Sequence, residues 1–190
     1  TTLFRSERGF LTEDEIQALS TISLDNPNFA LARDLFLFGC WTGISFTDIK
    51  NLTTDNIVEM NGASWIVSKR QKTGVPFQIK LMDIPMQIIR RYEPFRRDKR
   101  LFNIGSLDMV NKRIKAVAKK CGIEKPVSFH LSRHSFAVLA LNYGMPIESV
   151  SKILGHTNIT TTQIYAKVTN AKLENDISAF ESKISGRFVL

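Results

Sequence analysis

The sequence has little of what marks a secreted, membrane-bound or disordered protein. It has two cysteines among 190 residues, Cys40 and Cys121. Both stand in helically patterned segments, without the paired spacing of a metal knuckle or a disulfide framework. A reducing cytoplasm is the compartment this fits. No apolar run is long enough for a bilayer. The most apolar stretch, Phe29 to Trp41, is interrupted by Arg33 and Asp34 and is too short to span one. No membrane segment is expected. Thr1 to Phe10 carries Arg5 and Arg8 but no apolar core, so it does not read as a secretory signal. There is no low-complexity tract, no internal repeat and no long block of one charge.

What is present describes a globular domain. Apolar residues make up 43% and charged residues 23% of the chain, the mix of a folded protein. The length suffices for one core, and residues 1–190 read as one domain. Lys and Arg number 26 against 18 Asp and Glu, a net charge of +8. That balance favours a polyanionic partner such as nucleic acid or a membrane surface, although a basic soluble domain meets the same description.

Periodicity predicts an α+β fold, mostly helical with a small three-stranded antiparallel sheet. Thr12-Glu13-Asp14-Glu15 is a capping box that starts a first helix. From Pro27 the apolar residues Phe29, Leu31, Leu35, Phe36, Phe38 and Trp41 surround a buried helix that Gly43 ends. Ser45 to Asp48 repeats the capping pattern and opens a short helix through Leu52. Residues 57–60 and 64–70 then read as a hairpin about Asn61-Gly62, and Thr73-Gly74 turns into a third strand over 76–81. From Asp83 onward helices are predicted over 84–93, 106–121, 130–143, 146–154, 158–166 and 170–184, with Gly122 and Gly144 as stops.

All three histidines, His130, His134 and His156, fall in one short region, with Tyr165 on the next predicted helix. Taken singly, each is also what a packed or capping histidine looks like. His130 and His134 share one helix face, the spacing of a zinc pair. No Glu follows the first His, however, and Cys121 is the only nearby sulfur, so no metal is expected.

The segment His130-Leu131-Ser132-Arg133-His134 resembles the His-x-x-Arg box of tyrosine recombinases, the phage integrase family. Leu154-Gly155-His156 and Thr161-Thr162-Gln163-Ile164-Tyr165 are similar to that family's Leu-Gly-His and nucleophile boxes, in the same order and at matching spacing. Lys72-Thr73-Gly74 resembles its hairpin lysine. The resemblance spans about Thr42 to Lys167. It implies the family's catalytic-domain fold and a cofactor-free, metal-free phosphoryl transfer in which Tyr165 attacks a DNA phosphate, leaving a 3′-phosphotyrosine. Arg133 would hold the non-bridging oxygens, and His156 would donate to them. His130 would move the tyrosine proton, and Lys72 would protonate the departing 5′-oxygen.

One position departs from the pattern. The family's first box carries an arginine two residues after a Thr-Gly pair, and here Thr42-Gly43-Ile44-Ser45 puts Ser45 there. Asp48 keeps the acidic position three residues on. Ser45 is also a good helix N-cap, with Asp48 completing the box. Side chains two apart on a strand share a face, so Arg70 is expected beside Lys72 as a substitute phosphate clamp, if that stretch stays extended. Contact with flanking DNA is the other reading of Arg70. The small-residue first box resembles integrases of integrative and conjugative elements.

The resemblance further implies double-stranded DNA bearing attachment sites as the partner, a tetramer on DNA and a monomer alone, and accessory DNA-bending proteins. Residues 168–190 would form a C-terminal tail helix, with Leu173, Ile177, Phe180 and Ile184 at helical spacing before Phe188-Val189-Leu190. That tail docks either on a neighbouring protomer or on its own domain. The N-terminal DNA-binding domains of the family are expected outside this chain. Basic clusters at Arg96, Arg97, Lys99 and Arg100 and at Lys112, Arg113, Lys115, Lys119 and Lys120 suit phosphate contacts or a solvated helix face. A type IB topoisomerase-like enzyme and a DNA-binding module that has lost catalysis are the rival functions.

Overall fold

The computed structural model describes residues 9–166 and 170–187, with the side chains of 170–172 excepted. The element order is α1 (Glu13–Thr21), α2 (Pro27–Thr42), α3 (Phe46–Asn51), β1 (Ile57–Met60), β2 (Ala63–Lys69), β3 (Pro76–Lys80), α4 (Asp83–Tyr92), α5 (Leu107–Lys120), α6 (Phe129–Asn142), α7 (Ile147–Leu154), α8 (Thr160–Gln163) and α9 (Asn170–Ile184). Short 3₁₀ turns precede β1 and follow α4. This is the α+β arrangement the periodicity predicts. Phe188-Val189-Leu190 lies outside the described residues.

Local chemistry sets the ends of these elements. Thr12 and Glu15 exchange both bonds of a capping box at the start of α1. Asn26 caps α2 and Pro27 occupies its first turn, where a missing N–H costs nothing. Asn61 and Gly62 both have positive φ, the requirement of a type I′ hairpin turn. The sheet order is β1-β2-β3, with Ile57 opposite Ile66 and Ile66 opposite Ile79. Phe77 and Ile79 face the core while Pro76, Gln78 and Lys80 face out.

Helix α2 is the spine, buried on nearly every side from Ala32 to Cys40. The positioning of α6 matters most for function. Its first residue, Phe129, is buried and packs edge-on against Phe36 of α2 and Phe46 of α3, at ring distances of 6.2 and 5.2 Å. Its backbone N–H donates to the side-chain oxygen of Asn111 on α5 at 2.7 Å. The α6 N-terminus is thus capped by a neighbouring helix, while Ser128, the local capping residue, makes no such bond. A smaller apolar cluster, Phe136, Ala137, Leu141, Val150 and Leu154, joins α6 to α7.

Two expectations are corrected. The helix expected over 158–166 is one turn, Thr160–Gln163, and Tyr165 lies just beyond it. The stretch from Arg70 to Lys72 does not stay extended. The strand ends at Lys69, and the chain turns, with Arg70 N–H bonded to the Val75 carbonyl and Gly74 N–H to the Arg70 carbonyl. Arg70 and Lys72 therefore share no strand face.

Candidate active site

Three chain segments converge where α2 and α7 end and α6 begins. Arg133 lies on the second turn of α6 and is 5% exposed. Its guanidinium donates to the Gly43 carbonyl at 2.7 Å and to the Leu154 carbonyl at 2.5 Å. Gly43 ends α2 and Leu154 ends α7, so the cation sits on the electronegative ends of two helices. Burial, and then the neighbouring Arg70, pull its pKa down to about 10. It remains a cation at neutral pH.

Arg70 reaches the same place by a route that strand alternation does not suggest. Its guanidinium pairs with the Asp48 carboxylate, and its aliphatic stem lies over Gly155. A Cβ on Gly155 would stand 2.7 Å from Arg70 Cγ and 3.0 Å from Cδ. Gly155 also holds a left-handed φ of 61° as the cap of α7, so two independent demands meet at one residue. Here the expected capping box is only half formed. Ser45 Oγ accepts the Asp48 N–H at 3.3 Å, but the Asp48 carboxylate turns to other partners. It accepts from Ser45 Oγ at 2.6 Å, from the Gln71 N–H at 2.8 Å and from Arg70. Asp48 thereby ties the start of α3 to the turn that carries Lys72.

His156 follows Gly155 and is partly buried. Its Nδ1 shares a hydrogen bond of 2.7 Å with Thr162 Oγ1. Burial, then Arg133, then Arg70 lower its pKa to about 4, so its ring is neutral near pH 7. His130 is exposed at the start of α6, and its ring lies 4.4 Å from that of His134, which is buried and 5.2 Å from the ring of Tyr165. Tyr165 also acts electrostatically on Arg133. The structure thus gathers Arg133, Arg70, His156 and Tyr165, with His130 joined to Tyr165 through His134. Lys72 is exposed on the turn after Arg70. Among the described residues no group of three or more His, Cys, Asp or Glu could hold a metal ion, and none of the helices is long and apolar enough to cross a membrane.

Sequence reasoning missed Asp48 as a hub, Thr162 and Asn111. The capping pattern and the acidic position of the first box both marked Asp48, but neither showed it bonding the Gln71 N–H and Arg70 across elements. Thr162, six residues after His156, and Asn111, on a different helix from the backbone it caps, leave no periodic trace.

Known proteins place the fold and the family of the chain. The phage integrase family matches residues 9–172. The tyrosine recombinase XerD of Halalkalibacterium halodurans is 39% identical over 188 residues, covering 91% of this chain and 62% of that protein. XerD of Listeria innocua is 30% identical over 153 residues, covering 75% of this chain and 52% of its own length. The chain therefore spans between about half and two thirds of these relatives. Among solved structures, XerA recombinase superposes with a TM-score of 0.71 at 22% identity, covering 99% of this chain and 68% of that one. The Tn1549 transposon integrase in complex with transposon right end DNA gives 0.73 at 19% identity, covering 94% and 68%. These likenesses establish the same fold, and with a family match over most of its length the chain belongs to the phage integrase family of tyrosine recombinases.

Proposed function

We propose that this chain is the catalytic domain of a site-specific recombinase that cuts and rejoins duplex DNA at the attachment sites of a mobile element. The observation that carries this reading is the buried Arg133, bonded to carbonyls and flanked by Arg70, His156 and Tyr165. Such a group is suited to receive an anion. In this mechanism the Tyr165 oxygen attacks the scissile phosphorus and its proton passes by way of His130. The P–O5′ bond breaks, and Lys72 supplies the proton that the leaving 5′-oxygen takes up. The phosphodiester becomes a 3′-phosphotyrosine, and attack by a 5′-hydroxyl reverses the sequence. Arg133, His156 and Arg70 stabilise the charge on the non-bridging oxygens, with no metal or other cofactor taking part.

Arg70 stands in for the arginine that Ser45 replaces. Its stem lies against Gly155 and its charge is felt at both Arg133 and His156, which supports that role. The Ser45 substitution, together with the likeness to the Tn1549 integrase, supports an element of the integrative and conjugative kind, with the protein acting on DNA in the bacterial cytoplasm.

For assembly, α9 leaves Leu173, Ile177 and Phe180 exposed. An apolar groove of about 480 Å³ lies between Ile16, Trp41, Met82, Ile84, Leu139 and Met145. These surfaces support docking of α9 on a second copy, giving a tetramer on DNA from protomers that are single without it, with DNA-bending proteins as helpers. Replacing Phe180 by Asp should reduce the size of the DNA complex in sedimentation while leaving single-protomer binding intact.

The deciding experiment incubates the wild type and Tyr165→Phe with a nicked suicide substrate bearing the attachment site. A covalent band on a denaturing gel, absent only in Y165F, supports the reading. DNA binding without any band favours a non-catalytic DNA-binding module, the reading that Ser45 motivates. Site-independent relaxation of supercoils favours a type IB topoisomerase-like enzyme.

A further inference from the structure

Thr162 is 0% exposed, and its hydroxyl lies 2.7 Å from Nδ1 of His156. A hydroxyl carries one proton to donate and also accepts, whereas each nitrogen of a neutral imidazole does only one of the two. Burial and the two guanidinium groups keep His156 neutral near pH 7, so a single ring nitrogen holds its proton. If that nitrogen were Nδ1, the ring would donate to Thr162. The hydroxyl proton would then be buried without an acceptor, because among the described residues Nδ1 is the one hydrogen-bond partner of Thr162 Oγ1. Buried polar hydrogens are rarely left so. With the hydroxyl donating to Nδ1 both groups are satisfied, and the ring proton resides on Nε2.

We propose that Thr162 is a positioning residue that fixes His156 as its Nε2–H tautomer, so that the far side of the ring presents a donor to the non-bridging phosphate oxygens. The inference rests on the phosphate-binding role given to His156 above, and it adds the device that makes the role possible. A neutral imidazole of the opposite tautomer would present a lone pair to an anionic oxygen and repel it. The metal-ligand and catalytic uses of histidine depend on the same logic, in which the bond made by one nitrogen decides what the other can do. Thr162 belongs to α8, the one-turn helix between His156 and Tyr165, so the residue that sets the tautomer lies three positions before the nucleophile.

The test records long-range ¹⁵N–¹H correlations of the histidine rings at pH 7.5 for the wild type, Thr162→Val and Thr162→Ser, alongside cleavage of the nicked substrate. The expected wild-type and T162S spectra show His156 protonated at Nε2. In T162V the ring shifts toward Nδ1–H, and cleavage falls tenfold or more at unchanged DNA affinity. A wild-type ring protonated at Nδ1 overturns the proposal even if T162V does not fold. An Nε2–H ring that persists in T162V also overturns it, while leaving the phosphate role of His156 intact. Wild-type cleavage rates in His156→Ala would instead overturn the reading on which the proposal rests.

Discussion

Among the described residues two arginines are buried, in opposite ways. Arg33, 8% exposed on α2, bonds the carboxylate of its neighbour Asp34 at 2.5 Å and the carbonyls of Leu19, Ser20 and Ile22 at the end of α1. Asp34 in turn accepts from Arg91 and Tyr92, each at 2.8 Å. Arg91 is half exposed, so water carries its charge and the buried pair is neutral. Arg133 is as deeply buried, but its bonds go to two backbone carbonyls, and the nearby carboxylate, Asp48, is taken by Arg70. A cation buried with its counterion holds a fold together. One buried beside another cation is electrostatically incomplete, and the phosphate of the proposed reaction would complete it.

The difference predicts opposite failures. Asp34→Ala should be the most damaging change, costing about 3–5 kcal/mol of unfolding free energy, because it strands Arg33 in the interior. Urea denaturation measures this, and cleavage per folded molecule should stay near wild type. Arg133→Ala should lose a factor on the order of 10²–10³ in single-turnover cleavage, with a smaller stability loss of ~1–3 kcal/mol from the carbonyls left unpaired. Equal effects of both variants on stability and on cleavage would erase the distinction between the two arginines.

How much of this contrast is legible in the sequence depends on the range of the interaction. The caps at Thr12 and Ser45 and the Asn61-Gly62 turn lie in short windows, so backbone chemistry alone predicts them. The order of Arg133, His156 and Tyr165 is legible as a motif. The sequence does not show that Arg33 is paired and Arg133 is not, since the partners of Arg133, at Gly43 and Leu154, are 90 and 21 residues away. Arg70 illustrates the same limit. Strand alternation brings it toward the site with Lys72, whereas in the structure the strand ends first and Arg70 arrives across Gly155, with Asp48 taking its guanidinium. Arg70 comes near Arg133 and His156 but not by the expected geometry, because the turn is fixed by the carboxylate of Asp48 bonding the Gln71 N–H from another element.

Arg70 sharpens the comparison by removing one of the two cations. Arg70→Ala should slow cleavage by on the order of 10², the low end for losing a preorganised donor. It should also raise the pKa of His156 from about 4 toward its ordinary 6.5, since Arg70 is one of the charges that depress it. Cleavage as fast as wild type would leave Arg70 no part in the chemistry, and an unmoved histidine titration in NMR would remove it from the site altogether. Gly155→Ala probes the same contact more gently. The left-handed backbone costs an alanine roughly 1–2 kcal/mol, and the new Cβ displaces the Arg70 stem. Cleavage should therefore fall further than the stability loss explains, and a drop no larger than in other α7 variants of equal stability would refute this.

The smallest effect is the titration of His156, which burial depresses first and the two guanidinium charges after it. His156 has a folded pKa of about 4 against an ordinary value of 6.5. Between those values the unfolded chain binds more protons than the folded one, so lowering the pH favours unfolding. The contribution is intact above about 6.5 and is lost as the pH falls toward 4. Carboxylates titrate in the same direction lower in this range, so the informative quantity is a difference. The urea midpoint of the wild type should fall more steeply between pH 6.5 and 4 than that of His156→Gln. The gap should be modest because the ring is partly solvated and its surroundings are screened. Parallel profiles would mean that the ring protonates as easily in the folded protein as in the unfolded chain. Arg133 and Arg70 would then be no less neutralised than Arg33, and the contrast between the two buried arginines would lose its electrostatic basis.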